Sequence, residues 1–268
     1  MFKLLLNLFL GFVAAILIYV FAFGFPFQFE GERHEPLLKE AQNLYRAAEE
    51  AVTVNERKEL FNQALEKYLV LEKAYQPVFG NGKLFYNIGN TYYQLEEYPL
   101  SILYFERAKK LNPRNLRIQE NLSIAQNKIQ LPNDPFSPSF YDFSFFSLSE
   151  KLFFLGVLAL ILTLMGSLWI WKQKKMIASL SLPFIFLFLL IGVSVMYTAY
   201  ISPVYGILIK ATSLYRDAGE QYAPIAEKPF PPGSKAEVLD QKNEGRWLKV
   251  RMQDKTIGYT SLDTIRLI

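Results

Sequence analysis

The chain has 268 residues, 51% of them hydrophobic and 16% aromatic, with a mean hydropathy of +0.11. That balance fits a membrane protein with water-soluble parts and excludes a single soluble domain. The net charge of +4 comes with no basic stripe of the kind nucleic-acid binding needs, and the absence of Cys removes disulfides, thiolate metal sites and a Cys nucleophile.

Residues 1–25 begin with Lys3 and continue as an apolar run from Leu4 to Phe25. This is the pattern of a signal peptide or an uncleaved signal anchor. The run is long for a cleaved segment, and bulky Phe surrounds the small Ala22 and Gly24, which favours the anchor. In either case the chain after Pro26 is exported.

Residues 35–76 predict two helices. Leu37, Leu38, Ala41, Leu44, Tyr45 and Ala48 recur at helical spacing. Asn55 is the expected cap of the second helix, whose buried stripe is Leu60, Phe61, Ala64, Leu65, Tyr68 and Leu69. Gln76-Pro77 stops it, because a residue before Pro avoids the α region.

Residues 82–115 predict a second helix pair. Glu96-Glu97-Tyr98 separates the two helices, and Pro99 falls in the first turn of the second, where its missing N–H costs nothing. Gly89, Ser101 and Ala108 are small where two backbones meet, and Phe85, Ile88, Tyr92, Tyr98, Ile102, Phe105 and Leu111 fill the space around them. The order Phe85, Ile88, Gly89, Tyr92, Ser101, Phe105, Ala108, Pro113 resembles the tetratricopeptide repeat, with Phe for Trp, Ile for Leu and Ser for Ala as departures. The preceding pair resembles a degenerate repeat of the same kind with a longer turn. Asn115, Leu116, Ile118, Leu122, Ile124, Ala125 and Ile129 read as a capping helix, so the whole module spans 35–130. Such arrays usually need at least three repeats to bury a continuous core. This one is therefore expected to lean on the membrane surface, a second copy or a partner.

A linker rich in Pro, Ser and Phe follows over 131–150, its rings suited to the membrane interface. Two charge-free apolar runs come next, 152–171 and 178–201, joined by the loop 172–177. About 20 helical residues cross a hydrocarbon core of about 30 Å. Lys172, Lys174 and Lys175 place the loop in the cytoplasm by the positive-inside rule, which leaves both flanking modules outside it.

Residues 204–268 predict five short strands: Ile207 to Ile209, Ala211 to Tyr215, Ala236 to Leu239, Trp247 to Val250 and Ile257 to Thr260. Pro231-Pro232-Gly233 and Asn243-Glu244-Gly245 supply turns. Short strands with tight turns suggest a small barrel, since closure hides sheet edges. Gly233, Val238, Trp247, Val250, Gly258 and Tyr259 carry a resemblance to the bacterial SH3 (SH3b) domain.

No chemistry is legible. His34 is the only His, so Ser–His–Asp and Cys–His arrangements lack a member, and no metal-ligand spacing or phosphate loop occurs. No cofactor and no enzyme activity are expected. What remains is surface. The tetratricopeptide resemblance implies a groove lined by first helices, with Tyr86, Asn90 and Tyr93 pointing into it and Lys83 and Asn87 at its edge. An Asn side chain pairs with both N–H and C=O of an extended peptide, and a Lys meets a carboxylate. The bland alternative is a polar face of an array that only stacks. In the SH3-like module, Tyr215, Trp247 and Tyr259 form either an aromatic ligand patch, for a peptide or a cell-wall fragment, or packing.

The fold class is thus a multi-domain membrane protein: an all-α tetratricopeptide-repeat module, a two-helix transmembrane hairpin and a small all-β SH3-like barrel. That order resembles the BatE-type proteins of the bacterial aerotolerance (Bat) operon. The resemblance implies a scaffold of the bacterial inner membrane, with von Willebrand A-type membrane proteins as partners. A peptidoglycan-binding anchor or envelope sensor is the second reading.

Overall fold

A computed structural model describes residues 31–74, 81–131 and 145–268, with side chains from residue 35 onward. The first apolar run, the Gln76-Pro77 stop, the side chain of His34 and most of the Pro- and Phe-rich linker lie outside the described residues. The described residues divide into two compact units: the apolar hairpin up to Ser202, and the helical array together with the sheet from Pro203 to Ile268.

The array contains α1 (Gly31–Glu50), α2 (Val54–Ala74), α3 (Lys83–Gln94), α4 (Tyr98–Leu111) and α5 (Leu116–Lys128). Helix α2 starts where Thr53, not the expected Asn55, accepts the Glu56 N–H on its hydroxyl at 3.2 Å. Asn55 already lies inside the helix, because a cap must precede the first helical residue. Phe61, Ala64, Leu65, Tyr68 and Leu71 form the buried stripe of α2.

Small residues let α3 and α4 approach closely. A Cβ on Gly89 would lie 2.7 Å from the buried Phe105 ring. Ser101, where the repeat pattern has Ala, is fully buried, and its hydroxyl donates to the Gly89 carbonyl at 2.9 Å. The departure from Ala thus adds a bond worth about 0.5–1.5 kcal/mol instead of a desolvated hydroxyl. Asn115 caps α5 by accepting the Arg117 N–H. Ile118, Leu122 and Ala125 turn inward, while Leu116 and Ile124, expected on the same stripe, are 69% and 47% exposed.

The hairpin consists of α6 (Leu148–Lys172) and α7 (Lys175–Met196), the latter running into a π-helical turn, Tyr197–Ile201. Both helices are long and apolar enough to cross a membrane. They are tighter at the joint and longer at the start than the apolar runs suggest. Only Gln173, in the left-handed region at φ 49°, and Lys174 separate them. At the other end Ser147 and Glu150 form a reciprocal capping box. Lys151 in that first turn donates to Thr198 Oγ1 at 2.8 Å.

The C-terminal segment forms β1 (Val204–Leu208), β2 (Lys235–Lys242), β3 (Trp247–Met252), β4 (Ile257–Ser261) and β5 (Ile265–Leu267). They make one antiparallel sheet in the order β4-β3-β2-β1-β5. Two expectations need correction. The sheet is open, not a closed barrel: β4 and β5 are its edges, and the outer side of β4 carries a single bridge, Tyr215 to Tyr259. The stretch Ala211 to Tyr215 makes isolated bridges to Phe230, Pro224 and Tyr259 but no strand. The fifth strand is instead the three-residue β5, too short to announce itself by alternation.

Period-2 alternation divides the sheet into two faces. Leu208, Ala236, Leu248, Val250, Met252 and Ile265 build one small core, with Leu214. Ile207, one residue before Leu208, points the other way and joins the core of the helical array, with Ile268 beside it. Gly233, at φ +86°, closes the approach: a Cβ there would meet side-chain methyls of Ile129, Leu131 and Ile102. The array therefore leans on the chain's own sheet, an arrangement not among the three supports expected from the sequence.

Candidate functional site

Polar and aromatic side chains of α1, α3 and α5 meet one another. On α3 the spacing of Tyr86, Asn90 and Tyr93 puts the three on adjacent turns, all half-buried. The amide of Asn121, on α5, donates to the Tyr86 hydroxyl at 3.0 Å and to Asn90 Oδ1 at 2.8 Å. This bridge fixes the rotamers of both partners across the helix–helix contact. The Tyr86 ring rests 5.9 Å from Phe105, and Tyr93 meets Tyr98 edge-on at 5.5 Å. On α1, Tyr45 is hydrogen-bonded to Gln94 and meets Phe61 edge-on. Burial is the main cause that raises the Tyr45 phenol above its ordinary value.

The two residues expected at the rim differ in their surroundings. Lys83 is exposed at the start of α3, its backbone N–H held by Asn81 Oδ1. Asn87 is hydrogen-bonded to the hydroxyl of Tyr68, which is only 2% exposed on α2. Asn87 therefore ties one helix pair to the next. Asn121 was not singled out in the sequence. Its signal is its place on α5, one turn after the Arg117 amide that Asn115 caps, but reading it requires knowing that α5 packs beside α3.

On the sheet, Tyr215, Trp247 and Tyr259 come together. Tyr215 and Tyr259 exchange both backbone hydrogen bonds at 2.9 Å, and the rings of Tyr215 and Trp247 meet edge-on at 5.9 Å. Tyr259 is 8% exposed, whereas Tyr215 and Trp247 are half-buried. Two cations missed in the sequence flank them: Lys242 lies 4.8 Å and Lys249 6.0 Å from the centre of the Tyr259 ring. Lys242 pairs with Asp217 at 2.7 Å. The hydrogen bond between them lowers the Asp217 carboxyl and raises the Lys242 amine, so both stay charged at neutral pH. Among the described residues no cluster of His, Cys, Asp or Glu has the arrangement of a metal site.

The family model of the tetratricopeptide repeat matches residues 82–115. Helices α3 and α4 are a tetratricopeptide repeat. No curated protein and no solved structure matches the chain. The repeat assigns the Gly89, Ser101 and Phe105 contact to fold, since these residues set the spacing of its two helices.

Proposed function

We propose that the chain is a membrane-anchored interaction protein whose tetratricopeptide surface captures an extended segment of a partner protein. The observation that carries this reading is the Tyr86–Asn121–Asn90 bridge on the outward side of the repeat. Side chains held in place before binding lose less entropy on capture, which favours recognition over mere stacking. Lys83 supplies an exposed cation for a carboxylate, and Tyr93 an apolar ledge. Asn87, engaged with Tyr68, acts by holding α3 against α2.

The two apolar helices anchor this unit as a transmembrane hairpin. Lys172, Lys174 and Lys175 favour a cytoplasmic joint, and the packing of the array on the sheet requires both to share a compartment. The reading places them on the outer side of a bacterial inner membrane, in a Bat-type complex with von Willebrand A-type proteins. Reporter fusions after Gln130, Lys174 and Ile268 then read outside, inside, outside.

The test of the groove is co-purification from detergent-solubilised membranes of the chain carrying Tyr86→Ala and Asn90→Ala. Loss of a von Willebrand A-type partner with unchanged helical content supports the reading. Full recovery of that partner sinks it. A second reading, an SH3b-like cell-wall-binding module, draws on the meeting of Tyr215, Trp247 and Tyr259 beside Lys242 and Lys249. It predicts that the detergent-solubilised chain pellets with purified peptidoglycan and that Trp247→Ala does not.

A further inference from the structure

The second helix of the repeat, α4, is enclosed on every side. Six consecutive residues, Ser101 to Glu106, are all buried, and so is Ala108. A helix with one face on its partner keeps an exposed face; burial around the whole circumference needs a further element. That element is the sheet. Ile207 enters the array core at 0% exposure. The glycine turn at Gly233 presses against Ile102 of α4 and against Ile129 and Leu131 just beyond α5.

Polar contacts follow the same boundary. The Arg107 guanidinium donates through Nε and Nη2 to the Leu267 carbonyl at 3.2 and 2.8 Å, so it occupies the free edge of β5. Its Nη1 pairs with Glu72 at 2.9 Å, which links the same side chain back to α2. Lys110 donates to the Ile268 carbonyl at 3.2 Å. Glu106 and Lys235 form an ion pair at 3.4 Å with side chains only 6% and 11% exposed. One carboxylate oxygen of Glu106, Oε1, is buried with no hydrogen-bond partner. A buried pair with incomplete hydrogen bonding adds little stability and is costly to split, so it specifies the docked arrangement more than it tightens it.

We propose that the sheet is the cap of the tetratricopeptide array, standing where the second helix of a further repeat would pack. Array and sheet then open as one cooperative unit, and the apolar hairpin is an insertion within that unit. Arrays too short to bury a continuous core are completed by a terminal element, and here that element arrives after two membrane-long helices. A ligand on either surface consequently steadies both. This inference does not depend on what the groove binds.

The test is amide hydrogen exchange on the full chain in lipid nanodiscs. Gly233→Val puts a branched side chain at a positive φ and against Ile129, Leu131 and Ile102. The expected result is a rise of about tenfold or more in exchange across 98–128, matched by a rise in β1 and β5. A rise confined to β1, β2 and β5, with 98–128 at the native rate, overturns the proposal. Arg107→Ala gives the same readout from a half-buried position if the Val variant does not accumulate. Its expected rise is smaller and again shared by array and sheet; a rise on one side alone overturns the proposal.

Discussion

Tyr68 offers a titration whose sign and size follow from its position. It lies on α2 at 2% exposure, hydrogen-bonded to Asn87 of the tetratricopeptide repeat. Burial pushes its phenol from 10.0 up to about 12. The folded state therefore holds a proton that the unfolded chain releases above about pH 10. A folded-state pKa raised in this way stabilises fully below the unfolded value. The contribution fades as pH rises through the folded one. At 1.36 kcal/mol per unit, the full loss is about 2–3 kcal/mol by about pH 12. Tyr45, Tyr92 and Tyr104 are also raised, chiefly by burial, so they steepen the decline in the same direction. Comparison with Tyr68→Phe isolates the one residue. Urea midpoints of the detergent-solubilised chain, followed by far-UV circular dichroism from about pH 8 to about pH 11.5, supply the measurement. The variant starts about 0.5–1.5 kcal/mol below the parent, for the lost hydrogen bond. It then declines less steeply, so the gap narrows above about pH 10. Two parallel curves would refute the reasoning, because they would mean that Tyr68 ionises in the folded protein as it does in water.

Other outcomes are as specific. Gly89→Val forces a side chain onto the buried Phe105 ring and should cost about 1–3 kcal/mol, read as a lower urea midpoint; a neutral result would show that α3 and α4 separate freely. Thr53→Ala should cost about 1 kcal/mol through the lost cap, whereas Asn55→Ala stays within about 0.5 kcal/mol; the reverse order would return the cap to Asn55. Ser101→Ala, which restores the common residue of the repeat, should lower stability by about 0.5–1.5 kcal/mol here, because the side-chain bond to the Gly89 carbonyl is lost.

Much of the helical array was legible because its signals are short-range. The alternation of small and aromatic residues from Phe85 to Ala108 encodes two helices in contact, and each relation spans a few turns of one short hairpin. The candidate surface was legible only in part. Tyr86, Asn90 and Tyr93 follow from helical spacing on α3, but the amide that joins two of them comes from Asn121 on α5. Asn87 has the spacing of a rim residue and yet bonds a buried tyrosine on the helix before it.

The sequence by itself determined the local elements: helix pairs from periodicity, membrane-length helices from unbroken apolar runs, and tight turns at Pro231-Pro232-Gly233 and Asn243-Glu244-Gly245. These depend on residues within a few positions of one another, so the pattern and its physical cause occupy the same stretch of chain. Tertiary structure alone decided three matters. It left the sheet open, made Ile265–Leu267 a strand in place of Ala211 to Tyr215, and set Ile207 in the core of helices some hundred residues earlier. Strand pairing and core sharing are set by which distant surfaces bury each other, and a single apolar residue such as Ile207 carries no mark of the partner it will meet.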